Sequence, residues 1–228
     1  MQRSKSKENR MSLISTLGKV AMGIAVAKGL GKMMGGSKGG SGGGIGDLLG
    51  GLVGGKSADT KGGLGGILDS LGGSKLGDAQ SQGRNQESSQ GGFGDLFGNA
   101  MQGKEVNAST EQEQQAEIML RAMINAAKSD GNISEDEQRK ITEHLGDVSR
   151  EEAEFVRKEI NAPLDTKGFI QSVPRGMEQQ VYLMSLMAID LDSNEEAHYL
   201  DQLAKGLNIS KDVCNQIHEK VGAPAIYA

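Results

Sequence analysis

Hydrophobic residues recur every three or four positions through the second half of the chain, and no stretch there alternates as a β-strand does. The pattern from residue 109 to residue 131 opens on Ser-Thr, places Ala116, Leu120 and Ile124 on one face, and ends at a glycine. Three Ser-x-x-Glu capping boxes predict further helix starts. They are SEDE at 134–137, SREE at 149–152 and SNEE at 193–196. The pattern predicts an all-α domain over residues 109–228.

One segment of this domain, residues 176–190 (GMEQQVYLMSLMAID), is apolar around most of its circumference. Such a distribution is typical of a central buried helix. The domain also repeats itself, because residues 126–145 and 187–207 each contain the end of an apolar helix, an acidic turn, a capping box and a new helix. The repeat predicts two helix–turn–helix units that pack as a pseudo-symmetric pair and bring their acidic turns close together.

The first 34 residues combine a basic start with a second helical pattern that runs from residue 11 to residue 34. Lys19 and two later lysines interrupt it, and the longest charge-free piece is much shorter than the roughly 20 residues of a membrane span. Three interpretations compete: a helix at the inner (cytoplasmic) membrane, peripheral or single-span; a soluble helix that binds a partner or itself; and a secretory signal. We expect membrane association through residues 11–34, and a cytoplasmic location is the alternative.

Glycine dominates the next segment, residues 35–108, which contains three related pieces with a few Leu, Ile or Phe residues between glycines. They are GGIGDLLGGLVGG, GGLGGILDSLGG and GGFGDLFGNAM. Glycine has the largest backbone entropy to lose on folding, and such short apolar pieces bury little to offset it. We therefore expect a disordered tether whose apolar spots favour self-association.

Charge separates the two halves. Residues 1–108 carry 13 basic and 8 acidic side chains, whereas residues 109–228 carry 12 basic and 22 acidic ones. An acidic domain repels phosphate backbones, so we expect no nucleic-acid partner. The single cysteine, Cys214, excludes an intramolecular disulfide and cysteine-rich metal sites.

The stretch GGLVGGKS, residues 50–57, matches the phosphate-loop pattern of nucleotide hydrolases. That loop works only between a buried strand and the N-terminus of a helix. The residues before it contain no β-branched run, and the glycine-rich residues after it do not sustain a helix. We therefore reject a nucleotide hydrolase.

The first acidic turn, DGNISEDE at residues 130–137, resembles the second half of an EF-hand loop. The first and third ligand positions of that loop would fall on Ala126 and Lys128, which do not bind a cation, so a normal EF-hand is excluded. Further carboxylates lie in the second turn, DLDSNEE at residues 190–196. The alternative for both turns is that their polar residues only cap helices.

These two acidic turns and the helices around them are similar to the TerB-like (tellurite-resistance) helical domain, over most of residues 110–222. The whole chain resembles the YebE-like branch of that family, inner-membrane proteins of unknown function. The resemblance implies a bundle of about seven helices, preceded by an N-terminal helix and a disordered Gly-rich region. It also implies a divalent-metal site on five matching acids, which are Asp130, Glu137, Asp190, Asp192 and Glu196. The second turn departs from the first, because it lacks the Asp-Gly pair and is shorter.

Catalytic groups are sparse. No serine or cysteine stands in a recognisable nucleophile turn, and paired carboxylates alone define no substrate. His144 and His198 lie near the two acidic turns and are weaker candidates as metal ligands. We expect no enzyme; a metal-dependent hydrolase is the remote alternative.

The sequence thus predicts a bacterial, non-enzymatic, membrane-associated protein with a TerB-like domain. The resemblance implies a metal-responsive or protein-binding module in stress responses, with an unidentified protein partner. The main alternative is a protein-interaction or self-assembly module whose acidic turns are only helix caps and bind no metal.

Overall fold

The computed structural model describes residues 12–27, 64–71, 92–131, 133–146, 148–189 and 191–227. Within these ranges the chain forms helices and no strand. The helices are α1 (Leu13–Ala27), α2 (Leu64–Leu71), α3 (Phe93–Met101), α4 (Thr110–Ala127), α5 (Glu135–Leu145), α6 (Arg150–Asn161), α7 (Thr166–Ser172), α8 (Glu178–Leu186), α9 (Asn194–Gly206) and α10 (Lys211–Val221). The all-α prediction is confirmed, and α4 to α10 are the seven helices expected after residue 109.

Local sequence signals determine where most of these helices begin. Ser109, Ser134 and Ser149 each form a complete capping box, in which the serine hydroxyl accepts from the third helical N–H and that residue's side chain accepts from the serine N–H. Ser193 and Ser210 cap α9 and α10 through the hydroxyl. Each such cap is worth about 1 kcal/mol. The three helix starts predicted from capping boxes are confirmed.

The centre of the fold is α8, in which every residue from Gln180 to Leu186 is buried. It packs against α4, α9 and α2. The Gln180 side chain donates to the Leu68 carbonyl of α2 over 2.8 Å, so the polar group that α8 buries is satisfied. The predicted central buried helix is therefore confirmed.

The N-terminal helix α1 also belongs to the core. Ile14, Leu17, Val20 and Ile24 are at most 1 % exposed, and the helix packs against α5, α4 and α3. A Cβ atom on Gly23 would lie 2.9 Å from the Cα atom of Ile141, so glycine allows α1 and α5 to approach closely. The apolar face predicted to contact a membrane is thus covered by protein.

No helix in the described ranges is both long and apolar enough to cross a membrane. Residue 11 and residues 28–34 of the segment proposed for membrane contact lie outside the described residues.

Two of the three glycine-bounded pieces fold into helices, α2 and α3, rather than into a tether. Leu68 and Phe97 are fully buried in the core. Glycine permits this, because a Cβ atom on Gly94 would lie 2.0 Å from the carbonyl oxygen of Gly65. The Asp69 carboxylate accepts from the Gly94 N–H over 2.8 Å and so caps α3 from the neighbouring helix. The tether interpretation is wrong for these pieces; the third piece, GGIGDLLGGLVGG, lies outside the described residues.

Candidate functional site

The first acidic turn is built as a helix cap. The Glu137 carboxylate accepts from both the N–H and the hydroxyl of Ser134, each over 2.8 Å. Asp130 lies exposed at the end of the turn that follows α4. The capping box therefore occupies one oxygen of Glu137, one of the two predicted ligands in this turn.

The acidic residues of the second acidic turn differ in their burial. Glu196 is 2 % exposed, and its carboxylate accepts from the Asp192 N–H over 3.1 Å. Asp192 is exposed, and Asp190 lies outside the described residues. Leu191 lies between them and has a φ of 53°, in the left-handed region. Leucine is not β-branched and can adopt this conformation, at some cost in conformational energy.

Among the residues that the structure describes, no three His, Cys, Asp or Glu side chains converge in a way that could hold a metal ion. His144 contacts the Lys140 carbonyl of its own helix over 2.8 Å, and His198 contacts the Gln202 amide over 2.6 Å. The five-acid metal site, which includes Asp190, stays a prediction.

Lys128, which is unsuitable as a calcium ligand, is a structural cation. It is 4 % exposed, and its ammonium donates to the carbonyls of Glu159 and Ala162 over 2.7 and 2.9 Å. These carbonyls belong to the C-terminal end of α6, where the helix leaves acceptors unpaired. Burial lowers the pKa of Lys128, and the nearby Glu159 charge opposes this.

The buried histidine of α10 joins that helix to α8 and to the C-terminal tail. The Tyr182 hydroxyl lies 2.8 Å from His218 Nε2, and His218 Nδ1 contacts the Pro224 carbonyl. Because a carbonyl only accepts, Nδ1 carries the proton and Tyr182 donates to Nε2. Burial lowers the pKa of His218, which keeps the ring neutral. This cluster therefore ties α10 to α8 and to the C-terminal tail.

A cleft of about 540 Å³ lies where the N-termini of α1 and α6 meet α4 and the segment before α4. Its apolar lining comes from Leu13, Val106 and Phe155. Four carboxylates also line it, from Glu113, Glu117, Glu151 and Glu152. The cleft therefore combines an apolar surface with negative charge.

Two of the glutamates anchor helix starts. Glu113 accepts from the Leu13 N–H over 2.6 Å, at the first turn of α1. Glu152 accepts from the Ser149 N–H over 2.9 Å and completes the capping box of α6. Each helix N-terminus contributes about +0.5 charge, so both carboxylates lie where the helix dipoles favour them.

Glu117 has a cationic neighbour, because Arg121 lies 3.3 Å from it. The same guanidinium lies over the Phe155 ring, 5.6 Å from its centroid. Four carboxylates, one arginine and two helix N-termini leave a charge of about −2 around the cleft. The cleft therefore still favours a cation.

This cleft was not predicted from the sequence. Its charged residues lie on two helices, α4 and α6, and its apolar residues add α1 and a connecting segment, so no local pattern reveals it. The signal that could have indicated it is the run of glutamates in the first turns of α4 and α6, which reads equally well as helix capping.

Comparison with known proteins places this fold in a family without an assigned activity. A family model described as a protein of unknown function (DUF533) matches residues 33–221, so α1 precedes the matched region. An "Uncharacterized protein in ampR 5'region" of Yersinia enterocolitica is 28 % identical over 112 residues, which are 48 % of this chain and 81 % of the relative. No solved structure matches. The match agrees with the TerB-like resemblance, and the YebE-like branch stays a prediction.

Proposed function

We propose that this protein, which belongs to the DUF533 family of unknown function, is a non-enzymatic interaction protein whose cleft binds a Lys- or Arg-rich segment of a partner protein. The observation that carries the proposal is the cleft itself, in which four glutamates surround an apolar lining. In this proposal the protein is an interaction module whose binding site is the cleft and not the acidic turns.

The side chains of Lys and Arg suit such a site because an apolar stem carries a charged head. The stem would lie along Leu13, Val106 and Phe155, and the head would reach a carboxylate. Arg121 lies over the Phe155 ring, 5.6 Å from its centroid, so a guanidinium already contacts one residue of the lining. An anionic segment would instead be repelled by the negative charge around the cleft.

The expected affinity is modest. Exposed ion pairs contribute about 0.2–1 kcal/mol each, and one buried apolar side chain about 1.5–3 kcal/mol. Association costs several kcal/mol, so we expect weak binding, with a dissociation constant of about 1 mM or above. Because the pairs are exposed, binding should weaken as salt rises.

The test is fluorescence anisotropy of a labelled peptide, KRLKR, titrated with the full chain at low and high salt. We expect saturable binding that Glu117→Gln/Glu151→Gln weakens about fivefold, since two exposed pairs are lost. The matched control is Glu143→Gln/Glu195→Gln, which removes the same charge from exposed positions outside the cleft. Equal weakening by both double variants would reduce the effect to overall charge and sink the proposal.

A divalent-cation site on Asp130, Glu137, Asp190, Asp192 and Glu196 is a second candidate. It is supported by the similarity of the two acidic turns to the TerB-like domain, which matches these five acids. Calorimetric titration with calcium, magnesium, manganese and zinc tests it. One saturable ion per chain, lost in Glu137→Gln and Glu196→Gln, would support this site. No heat at millimolar ion would leave both turns as helix caps.

A further inference from the structure

The cleft opens where the described chain begins, since Ser12 and Leu13 line its edge. The eleven residues before Ser12 read MQRSKSKENRM and carry four basic side chains against one acidic side chain. A cleft that favours cations thus lies directly beside the most basic short segment of the N-terminal region.

We propose that residues 1–11 are the resident occupant of the cleft, and that a partner's basic segment binds by displacing them. This rests on the proposed function, because it uses the same carboxylates and the same apolar lining. A partner's basic segment would then bind only if its affinity and concentration suffice to displace residues 1–11.

Two contacts fix the start of the described chain at the edge of the cleft. The Ser12 hydroxyl accepts from the Ile14 N–H over 3.2 Å, so Ser12 is the N-cap of α1. The Glu113 carboxylate fixes the Leu13 N–H over 2.6 Å on the cleft side. Arg10 is two residues before Ser12 and therefore within about 7 Å of the cleft edge at full extension.

Covalent continuity strengthens this occupancy. A segment joined to its site without a linker is present at an effective concentration in the millimolar range or above. A partner at micromolar concentration has to compete against that. Removing the basic charges of residues 1–11 should therefore strengthen the binding of a peptide added from solution.

The first experiment measures binding of the labelled KRLKR peptide to the full chain with Arg3, Lys5, Lys7 and Arg10 changed to Gln. We expect binding about tenfold tighter than to the unchanged chain, because the local competitor is removed. The control changes four exposed basic residues outside the cleft, which are Lys158, Lys167, Arg175 and Lys220, to Gln. Equal peptide affinity of the N-terminal variant and the unchanged chain would overturn the inference and leave the proposed function intact.

The second experiment decides the inference even if no peptide binds. A nitroxide on Ser4→Cys in the full chain labels the segment selectively, because Cys214 is fully buried. We expect broadening of the Glu151 and Phe155 amide signals, lost at high salt and in Glu117→Gln/Glu151→Gln. Broadening that is spread over the whole surface, or that stays unchanged in Glu117→Gln/Glu151→Gln, would overturn the inference. Broadening that arises only between molecules, when nitroxide-labelled and isotope-labelled copies are mixed, would also overturn it.

Discussion

Two buried polar side chains, Lys128 and His218, bind backbone carbonyls that would otherwise be unpaired. Lys128 satisfies the end of α6, and His218 holds Pro224 of the C-terminal tail. Neither role could be predicted, because the partner of Lys128 is 31 residues away and Tyr182 is 36 residues from His218. A single polar residue in a helical pattern reads as part of the solvent-exposed face until the fold is known.

The neutral state of His218 makes folding stability depend on pH. Burial lowers the pKa of His218 below the value of about 6.5 of the unfolded chain, so below that pH the unfolded state binds the extra proton first. We expect the free energy of unfolding to fall as pH decreases below about 6.5, until the lowered pKa of the folded state is reached. Urea unfolding between pH 8 and pH 5.5 measures it.

The control for this pH dependence is His218→Gln, which keeps a polar side chain but cannot titrate, and in which the slope should flatten. The exposed His144 and His198 remain in both proteins. An equal slope in the two proteins would show that another group causes the pH dependence.

At the scale of helices, predictions succeeded where the signal is local and failed where it is tertiary. The Ser-x-x-Glu patterns indicated the starts of α5, α6 and α9 because in each one the serine hydroxyl accepts from the N–H three residues later. The helices α2 and α3 were missed, because their glycines act by letting two backbones touch. Composition shows only the conformational entropy that those glycines lose on folding. The close backbone contact between α2 and α3, which compensates for that loss, forms only when the two helices pack.

The contact between α2 and α3 predicts a steric effect of a single methyl group. A Cβ atom in Gly94→Ala would lie 2.0 Å from the Gly65 carbonyl oxygen, which belongs to the backbone and cannot rotate away. We expect a loss of about 1–3 kcal/mol in the free energy of unfolding. In Gly18→Ala the new atom meets the flexible Met101 sulfur at 3.3 Å, so this control should change stability little. Equal effects of the two substitutions would contradict the packing described here.

For the whole molecule, α1 is the element whose role differs most from expectation. The sequence predicted its helical pattern, but the partner of its apolar face is the core and not a membrane surface. Periodicity identifies an apolar face without identifying what covers it. Contact of this helix with a membrane would first require it to leave α3, α4 and α5.

A charged side chain on each face of α1 tests this placement. Leu17→Asp puts a carboxylate at a fully buried position, and we expect a loss of about 3–5 kcal/mol or failure to fold. Val26→Asp, at a position that is 44 % exposed on the same helix, should change stability by less than about 0.5 kcal/mol. Equal stability of the two variants in urea unfolding would contradict a core role for α1.

The most direct test of the central claim is a map of amide chemical-shift changes in the labelled full chain as KRLKR is added. The account predicts that the largest changes lie around the cleft, at residues 106–108, 113–117 and 149–155, and that they shrink at high salt. Changes concentrated on the acidic turns at 130–137 and 191–196, or scattered without a centre, would contradict it.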